Sequence, residues 1–374
     1  MTMTRRDLLV LLATSLGGVA LGSCAPSRSG NGRLLGGGRY RASANEGDTR
    51  YVLAVIEGSA TDPTLIPLPF LPHGIAVSPT DPERIAVFEK IGPGACEIDL
   101  SEQRMLHPVE TRKDRFFYGH GAYSPDAGLL YATETYLASQ RGVIAVRDAT
   151  DRTLLGEFPT YGSNPHDCQL IEGGSLLLIT NGGSTQGDLQ APSVTYVDVN
   201  TEQLIERVPL DNHQLNAGHI ARSRNGAIAV VSAPRPGLTE DDLGGVSLRD
   251  AGADTLISMR EPAAVVARMR GEALSVAIHE PEQIVAVTHP NGNMVTFWSI
   301  RDNRLLRALD FERPRGVTLS TDASRFILSF GKDASVIGID VETLKPIPES
   351  RQRATYITGS HLYNWDRLRA ESLS

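Results

Sequence analysis

The chain has 374 residues, 41% hydrophobic and 21% charged, enough for a large core, and a formal charge of −8. That acidic balance, with no basic stripe, argues against nucleic acid and against anionic membrane surfaces as partners. Gly (36) and Pro (22) punctuate short Val/Ile/Leu/Tyr runs and helix-forming stretches are scarce, so an all-β chain with many turns is expected.

Residues 1–23 read as an export signal. Arg5 and Arg6 precede a hydrophobic run of about a dozen residues, and "LGSC" ends at Cys24. The run is too short and too rich in Gly and Ser for a comfortable membrane span. Arg5-Arg6 followed by Asp7 and Leu8 resembles a twin-arginine signal, and "LGSC" resembles a lipoprotein cleavage box with Cys24 as the lipidated residue; the plainer alternative is a secretory signal with an incidental cysteine. The protein is therefore expected in the periplasm, held to a membrane only through a lipid on Cys24. Residues 24–48 are expected as a flexible tether. Cys96 and Cys168 are left open between a disulfide and two buried thiols, and without CxxC or CxxCH neither c-type haem nor a zinc knuckle is expected.

From residue 49 to residue 370 a strand–turn–strand unit returns. It occurs near Glu57, Asp99 ("ACEIDLSEQRMLHPV"), Asp148 ("IAVRDATDRTLLGEF"), Asp198, Asp250, Ser299 and Asp340. The acids at these turns are expected to be turn formers. Six further strand pairs precede six of the seven hairpins, as in "GAYSPDAGLLYATE" and "GVTLSTDASRFILSFG". Four short strands per repeat of roughly fifty residues predict a single domain, a seven-bladed β-propeller. The unmatched hairpin at 51–68 needs strands from "ATYITGSHLYNWD", so the N- and C-terminal strands are expected to share the blade that closes the ring. The chain is expected to be a monomer.

Histidines recur just before the first strand of successive repeats: His73 in "LPHGIAVSP", His120 in "YGHGAYSPD", His166 in "NPHDCQLIE" and His219 in "NAGHIARSR". His361 in "GSHLYNW" is a candidate fifth, and Ser275 and Arg315 stand at that point in the remaining two repeats. In a propeller these positions converge on one mouth of the central channel. Neutral imidazoles gathered there select Fe, Cu or Zn over Mg or Ca. Glu89, Glu134, Asn181 and His289, at the ends of second strands, are candidates to supply an oxygen or to orient a ring. Arg315 would help the same mouth hold an organic acid or phosphate, and a bland alternative has each histidine bonding a neighbouring blade. No G-x-S-x-G or other hydrolase spacing is present.

The blocks "GHGAYSPDAGLLYATE", "RGVIAVRDAT", "LGEFPTYGSNPHDCQL", "LITNGG", "HQLNAGH" and "NMVTFWS" are similar, in order, to those of the bacterial domain-of-unknown-function family 1513. The resemblance covers nearly the whole mature chain. It implies an exported protein with propeller-like repeats that accompanies periplasmic iron acquisition, and it carries over His120, His166, His213 and His219. The chain departs from the family pattern at "STQGDLQAPS", where relatives have a longer loop. Three functions remain. The first is binding of a transition metal, haem or metal-bearing ligand in the service of membrane or periplasmic uptake proteins, without turnover. The second is a metal-dependent oxidoreductase or hydrolase on the same site. The third is a protein–protein scaffold with structural histidines.

Overall fold

The computed structural model describes residues 32–41, 48–58, 62–185 and 191–371; the signal residues 1–23, with Arg5 and Arg6, and Cys24 lie outside them. Seven four-stranded antiparallel sheets form the blades of a propeller. From inner to outer strand, blade 2 is Pro72–Val77, Arg84–Glu89, Ala95–Asp99 and Arg104–Pro108, and blade 3 is Arg115–Tyr123, Leu129–Tyr136, Arg141–Asp148 and Leu154–Ser163. Blades 4 to 7 repeat this order, with inner strands Pro165–Ile171, Ile220–Arg222, Val276–His279 and Val317–Leu319.

The sequence pattern follows from the stacking. Each blade is pressed between two others, so its middle strands are buried on both faces and lose the in/out alternation of a one-sided sheet. Ile284–His289 and Met294–Ser299 of blade 6 are buried throughout, whereas the outer strand Arg104–Pro108 of blade 2 is almost wholly exposed. Hydrophobic clusters fill the interfaces. Leu35, Leu53, Ile85 and Val87 join blades 1 and 2, Phe88 and Phe117 join blades 2 and 3, and Phe297 and Phe326 join blades 6 and 7. The expected turn acids do that work: Asp99 accepts the Glu102 N–H, Asp198 those of Asn200 and Thr201, and Asp340 that of Thr343.

Blade 1 closes the ring, with one difference from expectation. Its inner strand is Tyr363–Asn364 from the C-terminal segment, followed by Arg33–Arg41, Thr49–Glu57 and Thr64–Leu68. Arg33–Arg41 falls inside the segment expected to be a tether. Its "GGG" reads as a linker, but the glycines serve close packing. A Cβ on Gly37 would stand 2.0 Å from the Pro72 carbonyl oxygen, and one on Gly38 would stand 1.9 Å from that of Tyr356. The helix Trp365–Glu371 follows the closing strand directly. Among the described residues no helix is long and apolar enough to cross a membrane.

Candidate metal centre

His73, His120, His166 and His219 come together, all buried, each offering one ring nitrogen within 4.8 Å of the others. The backbone explains how. The inner strands of blades 2, 3 and 4 lose register with their neighbours between Pro72 and Ile75, Phe117 and Gly121, and Pro165 and Cys168. These irregularities contain His73, His120 and His166, and a bulge re-aims the side chains it carries. The glycines beside them make room. A Cβ on Gly74 would lie 2.1 Å from the Gly119 carbonyl oxygen and 2.8 Å from Nδ1 of His120. Gly119, at φ +110°, would place one 2.5 Å from the His73 ring.

Three of the rings meet tip to tip. The Nε2 atoms of His73 and His166 are 3.3 Å apart, those of His166 and His219 2.8 Å, and those of His219 and His73 3.0 Å. Each such nitrogen is either a donor or a lone pair. In a closed triangle of contacts, at least one pair must therefore face donor to donor or lone pair to lone pair. His219 Nδ1 lies 2.5 Å from the Leu274 carbonyl oxygen, which only accepts, so the His219 proton sits on Nδ1 and its Nε2 is a lone pair. Hydrogen bonding alone leaves this triangle frustrated.

The surroundings keep the rings neutral. Burial, reinforced by the crowding of the imidazoles on one another and by Lys90, holds His73, His166, His219 and His361 well below the ordinary imidazole range and lowers His120 to about 3. His120 Nδ1 is 3.3 Å from Oδ1 of the buried Asp167, while its Nε2 is buried with no hydrogen-bond partner. Asp167 Oδ2 accepts the Ile220 N–H, and burial pushes its carboxyl up to about 7. Cys168, next to it, packs into the core between blades 3 and 4, and burial raises its thiol strongly; Cys96 is likewise a buried free thiol, raised to about 12. Neither is a thiolate ligand.

Several expected residues do other work. Glu89 turns back to accept the Gly94 N–H of its own loop. Glu134 is buried between Arg147 and Arg115, the latter 3.3 Å away, and Asn181 bonds Thr160 of blade 3 and Thr195 of its own blade. His289 bonds Thr296 within blade 6, and His213 is exposed on the loop before blade 5. Arg315 donates its backbone N–H to Ser329, with its Nε 3.4 Å from the Gly359 carbonyl oxygen. Removing Glu134 as Glu134→Leu should leave the buried Arg147 guanidinium without a carboxylate, while Arg115 keeps Glu157 at 2.6 Å. Urea denaturation is expected to register a loss of about 3–5 kcal/mol, with metal uptake unchanged. Altered uptake at unchanged stability would return Glu134 to the ligand set.

Four neighbouring residues were missed in the sequence. They are Asp167, Tyr118, whose ring centroid is 5.2 Å from that of His166, and an ion pair between Lys90 and Glu272 at 2.6 Å. Lys90 belongs to blade 2 and Glu272 precedes the inner strand of blade 6, so the pair reaches across the mouth on the histidine side. Below the histidines, a channel of about 910 Å³ runs from His120, His219 and His361 past Cys168, Val276 and Val317 to Arg224, Glu280 and the C-terminal helix.

Among known proteins, the sequence model of the family described as "Protein of unknown function (DUF1513)" matches residues 66–362. No curated protein matches the chain. Among solved structures, the hydrazine synthase of Kuenenia stuttgartiensis has a TM-score of 0.61 at 13% identity, over 78% of this chain and 92% of that one. Dihydro-heme d1 dehydrogenase NirN in complex with DHE has a TM-score of 0.57 at 11% identity, over 90% of this chain and 69% of that one. A chain of a mitotic checkpoint complex has 0.54 at 12%, over 74% of this chain and 75% of that one. At such identities the likeness concerns the propeller alone.

Proposed function

We propose, from the premise that this chain belongs to the family described as protein of unknown function (DUF1513), that it binds one transition-metal ion on the propeller axis through His73, His166 and His219, with His120 as the fourth donor. The observation that carries this is the Nε2 triangle. With metal–nitrogen bonds of about 2.05 Å, ligand nitrogens lie about 3.3 Å apart in a tetrahedron and about 2.9 Å apart at right angles. The three edges of 2.8, 3.0 and 3.3 Å span that range. A central cation also removes the frustration, because all three nitrogens then turn lone pairs inward. Asp167 fits the role of the carboxylate that holds a ligating imidazole by its other nitrogen.

The donor set is nitrogen only, which favours Fe(II), Cu(II) or Zn(II) and disfavours Ca and Mg. The same distances favour a naked ion over haem, since three nitrogens this close leave no plane for four pyrrole nitrogens. Export through residues 1–23 and lipidation at Cys24 are part of the proposal: a membrane-tethered periplasmic protein that holds metal for uptake proteins. The test is metal analysis of the protein from its native exported fraction beside a His120→Ala/His166→Ala double variant. Near-stoichiometric metal lost in the variant is expected; a folded wild type without metal that takes up none on titration contradicts the proposal.

Lys90 and Glu272 give a test of opposite signs. An uncompensated cation near the site opposes a metal cation, so Lys90→Met is expected to tighten metal binding about threefold to tenfold at low salt and Glu272→Gln to weaken it similarly. Calorimetric titration at two ionic strengths reads both, and shifts of the same sign would rule out the electrostatic account. The channel under His120 and His219 favours a second reading, an enzyme whose substrate approaches the ion from that side. Azide that alters the spectrum of the copper-loaded protein supports that reading, and an unchanged spectrum supports holding without turnover.

A further inference from the structure

His361 stands apart from the other histidines by its position in the chain. It lies two residues before Tyr363–Asn364, the strand that closes the propeller, and that strand is held to blade 1 by only two residue pairs, Leu34 with Asn364 and Leu35 with Tyr363. The His361 ring nonetheless reaches the axis. Its centroid is 4.1 Å from that of His219, 4.6 Å from His73 and 5.0 Å from His120. Its Nε2 is buried and has no hydrogen-bond partner among the described residues, the same condition as Nε2 of His120. It is not within the set of four whose nitrogens lie inside 4.8 Å of one another. A buried imidazole nitrogen without a partner is destabilising until something binds it.

We infer that His361 is a fifth ligand recruited by metal loading, and that the ion thereby latches the C-terminal strand and helix onto the ring. This rests on the metal site proposed above. The other donors come from blades 2 to 5, whose four-stranded sheets are continuous in the chain. His361 alone comes from the segment whose docking decides whether the ring is closed. A ligand shared between ion and latch links the two equilibria, so metal favours the closed ring and the closed ring favours metal. The chain around His361 is built to follow the ring. Leu362 and Ile357 are buried with Leu34 and Ile327 at the interface of blades 7 and 1, and Trp365 is buried with Leu35 at that of blades 1 and 2.

The test is hydrogen exchange by mass spectrometry on the full chain, with and without one equivalent of Zn²⁺, in wild type, His361→Ala and His361→Phe. Phe keeps a ring in place and guards against a variant that fails to fold. Zinc is expected to slow exchange across residues 355–371 of the wild type at least about tenfold, while both variants still bind one zinc but lose that slowing. Zinc bound by the wild type with no change at 355–371, or with equal slowing in His361→Phe, overturns the latch and leaves the four-histidine site standing. A wild type that binds no zinc overturns both.

Discussion

His166→Leu is expected to lower metal affinity at least about a hundredfold while leaving the metal-free fold as stable as the wild type, or more so. The two halves come from one geometry. Nε2 of His166 lies 3.3 Å from Nε2 of His73 and 2.8 Å from that of His219, so an ion at their centre loses a full ligand. In the metal-free protein, however, those contacts belong to a triangle that hydrogen bonding cannot satisfy, and an apolar side chain of similar size relieves it. A histidine kept for architecture behaves otherwise: its loss leaves a buried partner unpaired, at about 1–3 kcal/mol. Chemical denaturation of the two metal-free proteins, beside competition titrations with a chelator, separates the cases. Unchanged affinity with a clear loss of stability would make His166 a structural residue.

Acid is expected to unfold the metal-free protein abruptly, with a midpoint above about pH 5. His73, His120, His166, His219, His361 and His289 are all held below the ordinary imidazole value by burial, His120 and His289 to about 3. A base whose folded value is depressed contributes stability that is complete above its unfolded value, near pH 6.5, and is lost as the pH falls below it. Each group removes up to about 1.4 kcal/mol per pH unit, because the unfolded chain takes up protons that the folded chain refuses. Asp167, raised to about 7, works in the opposite direction between about pH 4 and 7 and offsets one of the six. The remainder is steep against a typical total of about 5–15 kcal/mol. Circular dichroism against pH should show the transition, moved to lower pH when metal occupies the site. A metal-free protein still folded at pH 4 would mean that the cluster accepts protons in place.

The propeller was legible because its repeat writes the same turn seven times. Each turn acid sits where a third strand meets a fourth, and the local hydrogen bonds that make Asp favourable there need no knowledge of the rest of the fold. The histidines were legible for the same reason: a repeat places equivalent residues on one axis. The oxygen ligands were not. Glu89 and Asn181 end second strands and Glu134 lies two residues before the end of one, but position along a strand does not reveal what a side chain will pair with. Glu134 went to two arginines 13 and 19 residues away in sequence, a pairing fixed by packing between strands. Asp167 had a signal, an acid directly after His166 in "PHDC", but its partner His120 belongs to the preceding blade. Arg33–Arg41 was hidden by "GGG", whose composition is that of a linker and whose cause is contact with backbone distant in sequence.

One ion among the three Nε2 atoms on the axis leaves a direct signature. Anomalous diffraction from crystals of the metal-loaded protein, recorded on either side of the metal's absorption edge, tests it most directly. A single anomalous peak is expected about 2.0–2.2 Å from Nε2 of His73, His166 and His219, with His120 turned toward it and Asp167 bonded to the Nδ1 of His120. No peak on the axis, with the imidazoles bonded to one another and to backbone, would contradict it.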